Sequence, residues 1–124
     1  MCQFTIKSDA KHDLTRIVFS GTVTGEHILD AMQRFYESTI TAKVLWDFKN
    51  SDVGQLSSDD LFTIIDAAKK YAHLRVHGKS VLLVNEGLPF GLARMHKTLS
   101  ELDRYQIPME IFTSEDEAVA WLDS

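Results

Sequence analysis

Ser57, His96 and Asp47 are the residue types of a nucleophile, a base and its orienting acid. A serine hydroxyl would attack an acyl carbon, an imidazole would take its proton, and a carboxylate would fix the imidazole tautomer. That chemistry favours a serine raised on a Gly-x-Ser-x-Gly elbow, and the sequence here reads Leu56-Ser57-Ser58-Asp59-Asp60. A serine that caps a helix also has its oxygen engaged already. Hydrolysis is therefore the weakest reading, and a non-enzymatic protein is expected. His73 and His77, four residues apart, could meet on one helix face to hold a metal. No third ligand or HExxH pattern accompanies them, so neither metal nor cofactor is expected.

Asp47 interrupts the apolar run Val44-Leu45-Trp46-Phe48. A carboxylate at the C-terminal end of a central strand is placed to anchor a ligand. The simpler reading has it accept backbone N–H groups from the crossing between Asn50 and Gly54. Leu88-Pro89-Phe90 is the other irregular feature, three apolar residues where a strand-to-helix junction is normally polar. Between Gly87 and Gly91 it reads as a hinged lid over an apolar pocket, as a patch for a membrane or partner, or as a staple on the following helix. The candidate site joins Trp46, Asp47 and Phe48 to Leu88, Phe90 and Met95.

These residues need elements to hold them. Cys2–Lys7 and Leu14–Phe19 read as an antiparallel hairpin about the polar turn 8–13. Thr24 suits the cap of a first helix, whose Ile28, Leu29, Met32, Phe35 and Tyr36 form one stripe at helical spacing. Lys43–Asn50 (KVLWDFKN) reads as a strand covered on both faces. Ser57 or Ser58 caps a second helix, with Asp59 and Asp60 suiting its positive pole and Leu61, Ile64, Ile65, Ala68 and Ala72 facing inward. Lys69, Lys70 and Arg75 are placed at its negative pole, and Gly78 stops it. The strand Lys79–Val84 then leads to a third helix with Leu92, Met95, Leu99 and Leu102 on its inner stripe. Pro108 closes a turn before the strand Met109–Phe112. Ser114 to Glu117 reads as a capping box for a last helix, whose Ala118, Val119, Trp121 and Leu122 clamp onto the sheet.

The order is ββαβαβαβα. Alternating strands and helices require parallel strands with right-handed crossovers, and strands added in one direction send the helices mostly to one face. The fold class is therefore α/β, a right-handed (βα) superhelix with a mostly parallel sheet and an antiparallel N-terminal edge strand.

At 124 residues and 44% hydrophobic, the sequence suits one domain, 1–124, around a single core. A net charge of −5 lacks the basic face that nucleic-acid binding requires, and offers little attraction to anionic membranes by charge alone. Cys2 is the only cysteine, which suits a reducing compartment. No apolar run reaches the roughly 20 residues of a membrane span, and MCQFTIKSDAKHD lacks a secretory pattern. A cytoplasmic location is expected.

The element order together with KVLWDFKN, VLLVNEGLPFGLARM and EIFTSEDEAVAWL resembles the bacterial SpoIIAA-like family, relatives of the STAS anti-sigma-factor antagonist domain. The resemblance runs from about Gly21 to Leu122. It implies the same superhelix, with a distant likeness in shape to the Sec14 (CRAL-TRIO) lipid-binding domains. Two functions are implied. One is a ligand-binding or regulatory module for a small apolar or lipid-like molecule or a membrane surface. The other is a protein-interaction switch controlled by phosphorylation, at Ser57 or Ser58 here. Signalling STAS domains carry a pattern near Asp-Ser-Ser-Gly, which Leu56-Ser57-Ser58-Asp59 lacks, and a phosphate beside Asp59 and Asp60 would be repelled. A small apolar ligand or a protein is the partner expected, with no nucleic acid. Peripheral membrane contact and a homodimer are both compatible with this surface.

Overall fold

Alternation of Phe4 and Ile6 with polar neighbours makes the first edge strand, β1 (Gln3–Asp9), which pairs antiparallel with β2 (Leu14–Thr22). The computed structural model describes residues 2–105 and 107–124. α1 (Gly25–Glu37) begins at Thr24, whose hydroxyl accepts the His27 N–H while the His27 ring accepts the Thr24 N–H. β3 (Lys43–Asp52) and α2 (Ser58–Tyr71) follow, then a single 3-10 turn over Ala72–Arg75. β4 (Lys79–Leu83), α3 (Leu88–Leu102), β5 (Met109–Phe112) and α4 (Glu115–Leu122) complete the chain.

The strands lie in the order β1-β2-β3-β4-β5, and every pairing after the first is parallel. With each new strand added on the same side, the crossovers put α1, α2 and α3 on one face of the sheet. The larger core cluster accordingly joins Ile17, Phe19, Val44, Phe48 and Leu82 to Ile28, Phe35, Ile64 and Ala93. Phe19 is fully buried at its centre and stacks on both Trp46 and Phe48. On the other face Leu45, Val81 and Leu83 pack against Ala118 and Leu122 of α4. The expected superhelix, its antiparallel edge and its unequal faces are all present.

Local boundaries differ from the sequence reading where backbone pairing overrides composition. β2 runs on to Thr22, and β3 runs to Asp52 through residues that read as a polar crossing. Ladder hydrogen bonds with a neighbouring strand hold polar residues extended as well as apolar ones. The β2–β3 register shifts between Val18 and Ser20, leaving one extra residue in β3 after Asp47. At the other end of the chain, Ser114 accepts the Glu117 N–H as an N-cap.

The third helix departs further. Its expected inner stripe is Leu92, Met95, Leu99 and Leu102, yet Met95 is 45% and Leu102 77% exposed. The face turned inward carries Leu92, Ala93, His96 and Ser100, spaced i, i+1, i+4 and i+8. Both sets have helical spacing, so apolarity alone selects the wrong one of two adjacent stripes.

Candidate functional site

α2 and α3 do not close on each other over the sheet, and the cleft between them holds a cavity of about 90 Å³. Its floor is Trp46 and Phe48 of β3 with Ser80, Leu82 and Val84 at β4. Leu61, Ile64, Ile65 and Ala68 form the α2 wall, and Pro89, Leu92, Ala93 and His96 the α3 wall. The Lys69–Asp103 ion pair, 3.2 Å, ties the C-terminal ends of the two helices together and shows which face of α2 is turned to α3. Phe62, two turns before Lys69 on that face, is 49% exposed.

Two polar features break the apolar lining. His96 Nδ1 is the one buried side-chain polar atom among the described residues without a hydrogen-bond partner. Burial alone pushes the imidazole down to about 4, so it is neutral near pH 7. At the far end of the cleft, Arg75 is 5% exposed. It is not the solvated cation at a helix end that its sequence position suggests. The 3-10 turn carries it inward, where Nε donates to Thr41 O at 3.1 Å and Nη2 to Ala42 O and Lys79 O at 2.7 and 2.8 Å. Nη1 donates to Ser80 Oγ at 3.2 Å. The tight return that makes this possible runs through Gly78, where a Cβ would lie 2.7 Å from Ala42 O. Tyr105 closes the same end, and burial, reinforced by nearby Tyr36, pushes its hydroxyl up to about 12.

Of the six ligand-site residues suggested by the sequence, Trp46 and Phe48 line this cleft. Asp47 does not, because strand alternation turns it to the α4 face with Leu45. Its carboxylate accepts the Lys49 N–H at 2.9 Å, at the register shift. The crossing is instead pinned by Asp52, which accepts the Gly54 N–H at 2.8 Å. Leu88-Pro89-Phe90 is the first turn of α3, started by Gly87 at φ 87°. Phe90 is half-buried against the larger core, Leu88 is 64% exposed near Gly54, and Met95 also points outward. Gly91 lies within the helix and its N–H bonds to Gly87 O, so the segment is not flanked by two hinges.

The imagined triad is not assembled. Asp47 is on the other face of the sheet, His96 Nδ1 has no partner, and Ser57 is engaged elsewhere. Ser57 Oγ accepts the Asp60 N–H at 3.1 Å and Asp60 Oδ2 accepts the Ser57 N–H at 2.9 Å, a reciprocal cap. Ser58 is the first residue of the helix. Ser57→Ala should therefore cost about 1 kcal/mol in urea unfolding, and Ser58→Ala close to nothing. Equal losses from the two variants would refute that assignment. His73 and His77 are exposed, and no group of three metal-ligating side chains occurs among the described residues.

A solved structure from Shewanella loihica PV-4 superposes over 98% of this chain and 93% of its own, with a TM-score of 0.62 and 14% identity. That protein is described as an uncharacterised member of the DUF3478 family with a SpoIIAA-like fold. The fold here is SpoIIAA-like. No protein-family model matches the sequence, and no curated protein is detectably similar to it. The likeness to the SpoIIAA-like structure is one of architecture, and residue roles rest on the geometry above. Among the described residues, no helix is long and apolar enough to cross a membrane.

Sequence reasoning placed Trp46 and Phe48 at the site but missed Arg75, Ser80, Ser100 and Tyr105, and saw His96 only as a catalytic base. One signal was present for α3. Pro89, Ala93, His96 and Ser100 recur at helical spacing, a stripe of small or compact residues that suits a face set back from its neighbours.

Proposed function

We propose that this protein is a non-enzymatic binding module that takes a small apolar ligand into the cleft between α2 and α3. The observation that carries this reading is a cavity with mainly apolar walls into which one unpartnered, deeply buried imidazole nitrogen is set. A buried polar atom without a partner costs about 1–3 kcal/mol, and a ligand polar group that reaches it removes that cost. Apolar walls supply the rest of the affinity, and a space of this kind tends to stay dry when empty. A switch phosphorylated at Ser57 would first have to break the reciprocal cap with Asp60, so the cleft is the better-supported site.

N-phenyl-1-naphthylamine, a neutral apolar fluorophore, should bind saturably and accept energy from Trp46 on the cleft floor. Ala93, 6% exposed on the α3 wall, gives the control. Ala93→Leu fills the space and should weaken binding at least tenfold while the circular dichroism spectrum is kept. Probe binding that ignores this substitution, or that never saturates, would place the apolar surface outside the cleft and end the proposal.

A further inference from the structure

The closed end of the cleft is rich in hydrogen-bond donors and poor in acceptors. Arg75 has five N–H donors, and four are used on Thr41 O, Ala42 O, Lys79 O and Ser80 Oγ. The fifth, on Nη1, has no partner among the described residues. Ser80 Oγ accepts from that same Nη1, and its own hydrogen meets no acceptor among the described residues. The Tyr105 hydroxyl likewise has no acceptor among them, and Arg75 is close enough to act on its charge. Arg75 is also the one charged side chain that lines the cavity, and no carboxylate pairs with it among the described residues. The three carbonyls, Ser80 Oγ and the Phe35 ring, its centroid 5.8 Å from the guanidinium carbon, favour the cation without supplying a counter-charge, and burying a charge without one is costly.

Resting on the apolar-ligand reading above, we propose that the ligand is a small carboxylic acid, its carboxylate held by Arg75, Ser80 and Tyr105 and its apolar body lying along the cleft over Trp46 and Phe48. A carboxylate is acceptor-only, so it can take the free Nη1 hydrogen and both hydroxyl hydrogens at once. It also supplies the missing negative charge. One cation matches a monoanion, whereas a phosphate dianion would leave an excess charge with no second basic side chain in the lining. Further along the wall, neutral His96 meets whatever polar group the body carries.

The wild-type protein can be titrated with hexanoate and octanoate, each against the alcohol and the amine of equal length, by displacement of N-phenyl-1-naphthylamine. The carboxylates should compete at concentrations at least tenfold below the alcohols, with the amines weakest. In parallel, the Arg75 side-chain Nε–H resonance should shift with hexanoate and stay in place with hexanol. Arg75→Met, if folded, should lose the charge preference while retaining the probe. Carboxylate and alcohol competing alike, or a carboxylate that leaves the Arg75 resonance unmoved, would overturn the anionic anchor and leave the apolar cleft standing. Failure of the probe itself to bind would overturn both.

Discussion

Arg75→Ala is expected to lower the unfolding free energy by about 4 kcal/mol, the largest loss foreseen for a polar residue of this protein. The substitution removes four hydrogen bonds at once, leaving the buried Thr41 carbonyl without a partner and the Ala42 carbonyl with only the Lys79 N–H. The Thr41, Ala42 and Lys79 carbonyls lie on the two segments that lead into β3 and β4, so one side chain joins two parallel neighbours at their starting ends. Hydrogen bonds to a charged donor contribute about 1.5–3 kcal/mol each, but they are not additive when they share one group. Arg75→Lys should recover only part of the loss, because an ammonium cannot reproduce the planar fork that serves several carbonyls together. Thermal melts and urea midpoints of the three proteins provide the measurement. A midpoint for Arg75→Ala within about 1 kcal/mol of wild type would mean that water or a rearranged turn replaces the guanidinium.

Acid should destabilise the protein through His96 as pH falls from 6.5 toward 4. Folding lowers the imidazole from its ordinary 6.5 to about 4, because burial in the cleft wall penalises the cation. Between those values the unfolded chain holds a proton that the folded chain does not. This contribution is therefore fully present above pH 6.5 and is lost as pH falls toward 4, a loss of about 3 kcal/mol between pH 7 and pH 4. Asp9, held below the usual carboxylate range by the His12 hydrogen bond, and Asp123, held down by Lys43, respond at lower pH and so stand apart. His96→Leu should flatten the stability profile between about pH 4 and pH 6.5, leaving a wild-type-like dependence only below it. Parallel profiles for wild type and variant would show that the imidazole is solvated rather than buried.

If a carboxylic acid occupies the cleft, saturating hexanoate should raise the unfolding midpoint of the wild type, since a ligand that binds only the folded chain stabilises it by mass action. The same concentration of hexylamine should not.

The element order, the parallel sheet, its antiparallel edge and the one-sided helices were legible in the sequence. Each follows from local rules: alternation at Phe4 and Ile6, the doubly covered run of Val44 to Phe48, caps at Thr24, Ser57 and Ser114, and the fixed hand of a crossover. Alternation in β3 also separates Asp47 from Trp46 and Phe48, so the period of a strand is by itself enough to exclude Asp47 from a site built on its two neighbours. The cleft could not be read in the same way. Its lining comes from elements far apart in the chain, and whether α2 and α3 touch or stand apart depends on how bulky their facing side chains are once both lie on the sheet. Hydrophobic periodicity points to the most apolar stripe of a helix, and on α3 Met95 and Leu102 of that stripe face outward while the compact residues Ala93, His96 and Ser100 join Leu92 in facing in. Arg75 is the clearest instance. In the sequence it is a cation at a helix end, and only the tertiary return through Gly78 brings three carbonyls within its reach, among them the buried Thr41 carbonyl that needs a donor.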